Sequence, residues 1–384
     1  MGKVLIVDDE RINIHILSAA LKNDHSVIIA IDGTTAIDLA LSERPDLILL
    51  DIMMPGMDGY EACSKLKASP ATRDIPIIFI TALSDAKSES HGLECGAIDY
   101  ITKPFNVALV KSRVKNHVEL KIARDLLALK QVAIDEALRS AGLIQKSLLP
   151  KKLPNFKSVE FSYKFQPCNA IGGDILNVLC LDDSHIGFYL VDVSGHGPSS
   201  AMIAVLVYQL MNPFTGILLD NFTIPPRVRS PEEVLNILDK EFPLMRFKKH
   251  FTIIYAILNI TTGLLTYSNA AHCSPLVLSK DGALKTLDVS GTVIGLAAMP
   301  FNQENVTIHP GSKVVFVSDG VEEREDVNKK FYGQERLHKT LQDSCSLPTN
   351  ELVQGLYDDV NRFAGTQPPS DDLSILALEY KGLN

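Results

Sequence analysis

Five residues in the first third of the chain have the types needed to handle a phosphoryl group: Asp8, Asp9, Asp51, Thr81 and Lys103. Each closes a short apolar run, in KVLIVDD, DLILLD, PIIFITA and DYITKP. If these runs are parallel strands, their carboxyl ends converge on one crevice, where open α/β sheets bind ligands. Three carboxylates crowded there repel one another unless a hard divalent cation sits among them, and magnesium bound by one or two carboxylates plus phosphate oxygens meets that need. One carboxylate left reachable can act as a nucleophile toward phosphorus. Lys103 would pair with a phosphoryl oxygen as a point charge, and the Thr81 hydroxyl would donate to another. A single Asp at a strand end is as readily a turn former or helix cap. Five such residues in one register are not accounted for that way.

A second set of carboxylates lies further on: Asp174 in IGGD, Asp192 opening DVSGHG, Asp319 in VVFVSDG, and Asp371 with Asp372 in SDDLSIL. Glycine beside a carboxylate lets the backbone turn tightly and approach a ligand closely. Four acidic sites without a nearby basic cluster call for cations. Oxygen ligands suit magnesium or manganese, and two such ions about 3.5–4 Å apart can activate a bridging water toward a phosphoryl group. His196, between two glycines, reads first as a group that hydrogen-bonds its own turn, with a role at the site as the alternative. The stripe Ala201, Val205 and Tyr208 reads as helix packing against a core.

These residues need elements to hold them. From Lys3 to about Lys115 apolar runs alternate with amphipathic stretches, which predicts a doubly wound, five-stranded parallel sheet with helices on both faces. Residues 118–153 read as a helical linker, with Leu120, Leu127, Ile134, Ala141 and Leu148 recurring every seven residues and Lys130 interrupting the interleaved positions. A coiled-coil homodimer is compatible with this short seam without being required by it. A helix from Asn106 to Ser147 would extend roughly 60 Å. From residue 154 the runs VEFSYKF, HIGFYLVDV, FTIIYAILN, LLTYSN, SPLVLS and KVVFVSD read as strands. Helices are expected at Ser199–Met211, Pro231–Phe242 and Gln334–Gln342, and a surface loop at Asn221–Ser230. The expected organisation is thus 1–117, a linker at 118–153, and an α+β domain over 154–384.

A length of 384 residues fits two or three domains. Apolar residues make up 46% and charged residues 22%, an ordinary globular mix that disfavours disorder and disulfide scaffolds. The net charge of −9 gives no broad footprint for nucleic acid or an anionic membrane. The six cysteines form no C-x-x-C pair, and no apolar run approaches the ~18 residues of a membrane helix. A cytoplasmic protein that binds neither nucleic acid nor membrane is expected.

VDDE, LLDIMMPGMDGYE, ITA and DYITKPF, in that order, closely resemble the receiver domain of two-component response regulators. The resemblance implies phosphorylation of Asp51 by a histidine kinase or phosphotransfer protein, magnesium held by Asp9 and Asp51 with help from Asp8 and the Met53 carbonyl, and a conformational switch through Thr81 and Tyr100. IQKSLLP, IGGD, DVSGHG, SNAAHCSPLVL, VSDG and SDDLSIL resemble the metal-dependent serine/threonine phosphatases of the PPM superfamily, in the stage II sporulation protein E and sigma-factor regulatory branch. That likeness implies two antiparallel sheets sandwiched by helices. It also implies two manganese or magnesium ions held by Asp174, Asp192, the Val193 carbonyl, Asp319 and Asp371. Its substrate would be a phosphorylated anti-sigma-factor antagonist of STAS type. Ala271 departs from the glycine usual in this branch, and Pro213–Ser230 is long for it. GGDI at Gly172–Ile175 also resembles a diguanylate cyclase signature but lacks the acidic-aromatic ending. The alternative to an enzyme is a response regulator whose phosphatase-like domain sequesters a partner without hydrolysis.

Overall fold

The computed structural model describes residues 1–82, 95–154 and 156–382. The chain forms two compact units, Met1–Ile134 and Asp135–Asn384, and the division falls inside one long helix.

In the first unit β1 (Lys3–Val7), β2 (Ser26–Ala30), β3 (Leu47–Asp51), β4 (Ile77–Thr81) and β5 (Asp99–Thr102) form an all-parallel sheet in the order β2-β1-β3-β4-β5. Successive side chains of a strand point to opposite faces, so each central strand feeds two cores. Val4, Ile6, Leu47 and Leu49 pack with Ile14, Leu17 and Leu21 of α1 (Arg11–Leu21). Leu5, Val7, Ile48 and Leu50 pack with Ala36 and Ala40 of α2 (Gly33–Glu43) and with Ala62 and Leu66 of α3 (Gly59–Ala68). With both faces covered, β3 and β4 are buried throughout, which is why they read as unbroken apolar runs. Asp32 and Asp58 accept from Thr35 N and Glu61 N at 2.8 Å, capping α2 and α3. The amphipathic stretch expected between β4 and β5 lies mostly outside the described residues.

The 42-residue helix α4 (Val107–Leu148) is about 63 Å long at 1.5 Å per residue. Asn106 sits just before it and caps it, accepting from Ala108 N at 3.0 Å.

The second unit contains two five-stranded antiparallel sheets. One runs β15-β12-β11-β8-β7, from Glu304–Thr307, Leu264–Ala270, Phe251–Asn259, His185–Val193 and Ile175–Cys180. The other runs β14-β13-β16-β17-β6, from Leu284–Thr286, Leu276–Leu278, Ser312–Val317, Leu373–Tyr380 and Val159–Gln166. Their inner faces share one core, in which Phe188 meets Phe161 and Phe316 edge-on at 5.8 and 5.3 Å. On the first sheet lie α5 (Pro198–Leu210) and α6 (Pro231–Glu241), followed by the single turn α7 (Leu244–Phe247). After the short α8 (Asp319–Glu322), α9 (Gly333–Asp343) and α10 (Thr349–Ala364) cover the second sheet through Leu337, Leu341, Leu352, Val353, Leu356 and Val360. The three expected helices form within one or two residues of their expected ends. α10 and β7 were not foreseen; Gly355 in mid-helix and the Asn residues around it lower the helical signal of α10.

Two expectations need correction. The packed stripe of α5 is Ala201, Ile203, Ala204 and Val207, whereas Val205 is 38% exposed beside the exposed Met202 and Leu206. The proposed stripe of Ala201, Val205 and Tyr208 mixed the two faces. The loop over Asn221–Ser230 carries one arm of a small hairpin, β9 (Leu219–Asp220) paired with β10 (Arg227–Val228). Ala271 adopts φ +53°, the left-handed conformation that favours glycine, which explains why glycine is the usual residue there.

Candidate functional site

The parallel order puts the ends of β1, β3 and β4 side by side, and the first set of residues assembles there. Asp8 is fully buried and Asp51 is 2% exposed, while Asp9 faces solvent. Ligand oxygens of Asp8, Asp9 and Asp51 lie within 4.8 Å of one another. Lys103, leaving the end of β5, reaches both buried carboxylates, at 2.8 Å to Asp51 Oδ2 and 3.0 Å to Asp8 Oδ2. Asn13 of α1 donates to both oxygens of Asp8 at 3.0 Å, fixing that carboxylate in place. Among the described residues, Asp51 Oδ1 is buried with no hydrogen-bond partner. Burial pushes the Asp51 carboxyl up, against the opposing pull of Lys103 and with a further push from Asp8. A carboxylate oxygen without a donor among the described residues, beside two more carboxylates, fits a divalent cation. Gly59 is required at the start of α3, because a Cβ there would stand 2.2 Å from the Asp51 carbonyl oxygen. Thr81 is buried at the end of β4, Met53 is 64% exposed, and Tyr100 in β5 lies under the Arg113 guanidinium at 5.8 Å. Arg113 also donates to the Tyr100 carbonyl at 2.8 Å and pairs with Asp99.

The second set meets where a strand pair from each sheet ends. Asp174 immediately precedes β7, and the pairing of Ile175 with Val191 sets it across from Asp192 of β8. In the other sheet Asp319 follows β16, and Asp371 and Asp372 precede β17. The sheets are stitched together at this point. Ser374 Oγ donates to Asp174 Oδ2 at 2.6 Å, while Gly173 N and Asp174 N donate to Asp372 Oδ2 at 2.5 and 3.1 Å. Gly172 and Gly173 leave no room for a Cβ, which would lie 2.1 Å from Asp372 Oδ2 in one case and 2.7 Å from the Val193 carbonyl oxygen in the other.

Asp174 is pushed well up, first by burial and then by Asp192 and Asp372. Burial and the charges of Asp319 and Asp371 raise Asp192 to about 7, and burial with Asp371 raises Asp319 to about 6. Asp371 is also raised, by burial above all, with the exposed His196 partly offsetting that push. Carboxylates that raise one another in this way carry excess negative potential, which divalent cations relieve.

The family resemblance names Asp371 as a ligand and gives Asp372 no role. Asp372 is 1% exposed, and both its oxygens are taken by backbone donors, with Cys168 N at 2.8 Å on Oδ1. It is therefore the clasp, while half-buried Asp371, whose Oδ1 accepts from Asp372 N at 2.8 Å, lies near enough for its charge to raise Asp192 and Asp319. Cys168 is half-buried, and its thiol lies within 4.8 Å of ligand oxygens of Asp371 and Asp372. Burial and those two charges push that thiol up to about 12, so it stays protonated and contributes no thiolate. His272, from NAAHC, was not singled out. It is 6% exposed, faces Thr252 Oγ1 at 2.7 Å, and is held neutral by burial, which pushes it down to about 4.

A doubly wound unit with an acidic phosphoacceptor crevice, joined to a four-layer sandwich with a carboxylate centre, defines a receiver domain fused to a PP2C-type phosphatase domain. Residues 4–115 match the response regulator receiver domain, and residues 182–381 match Stage II sporulation protein E. The chain belongs to the stage II sporulation protein E family. Response regulator PleD of Caulobacter vibrioides is 42% identical over 133 residues, which cover 34% of this chain and 29% of that protein. The chain thus spans less than a third of that relative's length. Among solved structures, the SiaA-PP2C domain of Pseudomonas aeruginosa is 20% identical with a TM-score of 0.57, covering 66% of this chain and 99% of that one. The PP2C phosphatase domain of SpoIIE from Bacillus subtilis is 11% identical with a TM-score of 0.49, over 59% of this chain and 64% of that one. Among the described residues no helix is long and apolar enough to cross a membrane.

Proposed function

We propose that the chain is a response regulator in which phosphorylation of Asp51 controls a metal-dependent phosphoserine/phosphothreonine protein phosphatase. Its substrate is a phosphorylated anti-sigma-factor antagonist of STAS type, by analogy with the sigma-regulatory branch. The observation that carries the reading is the cluster of Asp174, Asp192, Asp319 and Asp371 at the matched ends of two facing sheets, each raised by burial and by its neighbours. Pure partner binding has no use for one buried and three half-buried carboxylates that burial and neighbouring charges all raise, because leaving them without cations is costly.

In the receiver, Asp9 and Asp51 with Asp8 and the Met53 carbonyl hold magnesium. The Asp51 carboxylate is the nucleophile toward the phosphorus of a phosphohistidine on a kinase or phosphotransfer protein, its O–P bond forming as the N–P bond breaks and the imidazole leaves. Lys103 then exchanges its contact with Asp51 for a phosphoryl oxygen, and Thr81 and Tyr100 carry the switch. In the phosphatase, Asp174, Asp192, the Val193 carbonyl, Asp319 and Asp371 hold two manganese or magnesium ions. When bound, such ions lower the pKa of water and supply positive charge for the phosphoryl group. The protein's own part is orientation: Ser374 fixes Asp174, the Asp372 clasp fixes the loop that carries it, and Gly173 lets the Val193 carbonyl approach.

The test is manganese-dependent release of phosphate from an aryl phosphate and from phosphoserine proteins, including phosphorylated STAS-type antagonists. Asp192→Ala and Asp319→Ala are expected to lower the rate by at least about 100-fold, the scale on which lost electrostatic support for a transition state acts. Wild-type rates in both variants would sink the enzymatic reading and leave partner sequestration.

A further inference from the structure

Beside the carboxylate centre the second unit carries a short run of positive charge. Arg246, Lys248 and Lys249 put three cations in four residues, with His250 next, in a chain of net charge −9. The run lies between the single turn α7 and the start of β11, the strand that pairs with β8: Thr252 stands opposite Asp192, and Phe251 opposite Val193. Ser194 N donates to the His250 carbonyl at 3.0 Å, so the pairing continues past the strand ends. Half-buried Lys249 is tied down there, its Nζ donating to the Ser194 carbonyl at 2.6 Å and to Ser200 Oγ at 3.2 Å. Arg246 and Lys248 are both exposed, and among the described residues neither pairs with a carboxylate. Arg227, Arg229, Lys313 and Lys381 of the same unit each pair with one. The turn that presents the two exposed cations is anchored. Phe247 packs on the buried Phe242 at 5.4 Å, Leu244 N donates to the Gly295 carbonyl at 2.9 Å, and Lys248 N donates to the Leu244 carbonyl at 2.8 Å. Four residues of extended chain span at most about 14 Å, so Lys248 lies within that distance of Thr252, the cross-strand neighbour of Asp192.

We propose that Arg246 and Lys248 form a docking rim for substrate, which selects phosphoserine or phosphothreonine proteins that carry acidic residues within a few positions of the phosphorylated one. This rests on the reading of the carboxylate centre as a phosphatase site. A chain of net negative charge repels an acidic protein at long range, and exposed cations set beside the centre reverse that locally. The chemistry of the partner follows from the missing counter-charges: a cationic rim without carboxylates of its own is complementary to carboxylates brought by the substrate. In this role the two side chains act on the residues flanking the phosphorylated one, so a small phosphate ester without flanks gains far less from them. Attraction between exposed charges reaches about 10 Å at 0.1 M salt and fades as salt is added.

The test uses the full chain at saturating manganese with three substrates: p-nitrophenyl phosphate, and two synthetic phosphoserine peptides that differ only in carrying glutamates or lysines beside the phosphoserine. The readout is the kcat/KM of each peptide divided by that of p-nitrophenyl phosphate, so that a general loss of activity in a variant cancels. The wild type is expected to favour the glutamate-flanked peptide by at least about tenfold at low salt, the lower end of what charge steering supplies. The preference should lie in KM rather than kcat and shrink as sodium chloride is added. Arg246→Glu/Lys248→Glu is expected to reverse the preference, and Arg246→Gln/Lys248→Gln to remove most of it. If the charge-reversed variant does not fold, the neutral one decides by the same criterion. Equal ratios for the two peptides in the wild type while p-nitrophenyl phosphate is hydrolysed, or an unaltered preference in the neutral variant, would overturn the docking rim and leave the phosphatase reading standing. A wild-type chain that hydrolyses none of the three substrates would overturn both.

Discussion

At the scale of single residues, the two acidic centres solve the same electrostatic problem differently. In the receiver crevice a lysine built into the fold faces Asp8 and Asp51, and Asn13 steadies Asp8. In the phosphatase centre the carboxylates chiefly have one another for company, and Asp192 and Asp319 are raised to about 7 and about 6. A carboxyl raised in the metal-free protein is protonated below its shifted pKa, so an entering cation must displace that proton. Below pH 6 both groups hold protons, and above pH 7 neither does. Manganese affinity is therefore expected to rise with pH through the window from 6 to 7, by roughly tenfold or more between pH 6 and pH 8. Calorimetry in buffers of different ionisation enthalpy should record more proton release on binding at pH 6.5 than at pH 8. Equal affinities at the two pH values would count against the coupling of these carboxylates.

At the scale of elements, α4 between Ile122 and Ala137 is exposed on nearly every side, and Leu127, Leu129, Val132 and Ile134 are each more than half exposed. Apolar side chains concentrated on one short stretch of helix are a liability unless another surface covers them. Leu127 and Ile134 belong to the heptad seam, which argues for a second copy of the same helix. A Leu127→Glu/Ile134→Glu variant is expected to convert a dimer to a monomer by light scattering without loss of helical content. A wild-type chain of single mass would remove the dimer. The linker helix was legible in the sequence because apolar residues at helical spacing survive one interrupting lysine. The receiver strands were legible too, since double burial writes unbroken apolar runs, and glycine beside aspartate marked both the IGGD and DVSGHG loops. Other features were not readable, for physical reasons. Asp371 and Asp372 are chemically identical, and only the backbone donors from residues 168–174, two hundred positions away in sequence, tell ligand from clasp.

At the scale of the whole molecule, the proposed reading gives one chain a site that receives a phosphoryl group and another that removes one, and both need acidic residues at strand ends. What distinguishes them is whether the acceptor oxygen belongs to the protein. In the first unit Asp51 Oδ1 is buried and, among the described residues, unpartnered within reach of Lys103's companion contacts, so the phosphoryl group can remain on the chain. In the second, Ser374 and the backbone occupy the oxygens best placed to fix the cluster, which suits ligands better than nucleophiles. The lifetime of the first phosphoryl group can then set the rate at the second site, provided one element has two states that both sites bias. Phosphorylation adds charge and acceptor oxygens beside Lys103 and Thr81, the arrangement by which such modifications re-order nearby structure. Couplings of this kind are worth about 5- to 150-fold in equilibrium terms. Beryllofluoride or a small phosphodonor is accordingly expected to change the phosphatase rate of the full chain within that range and to leave Asp51→Ala at its basal rate. The rate of the wild type with and without beryllofluoride, followed at saturating manganese, is the measurement; an identical rate in both conditions would mean that the receiver controls something other than catalysis.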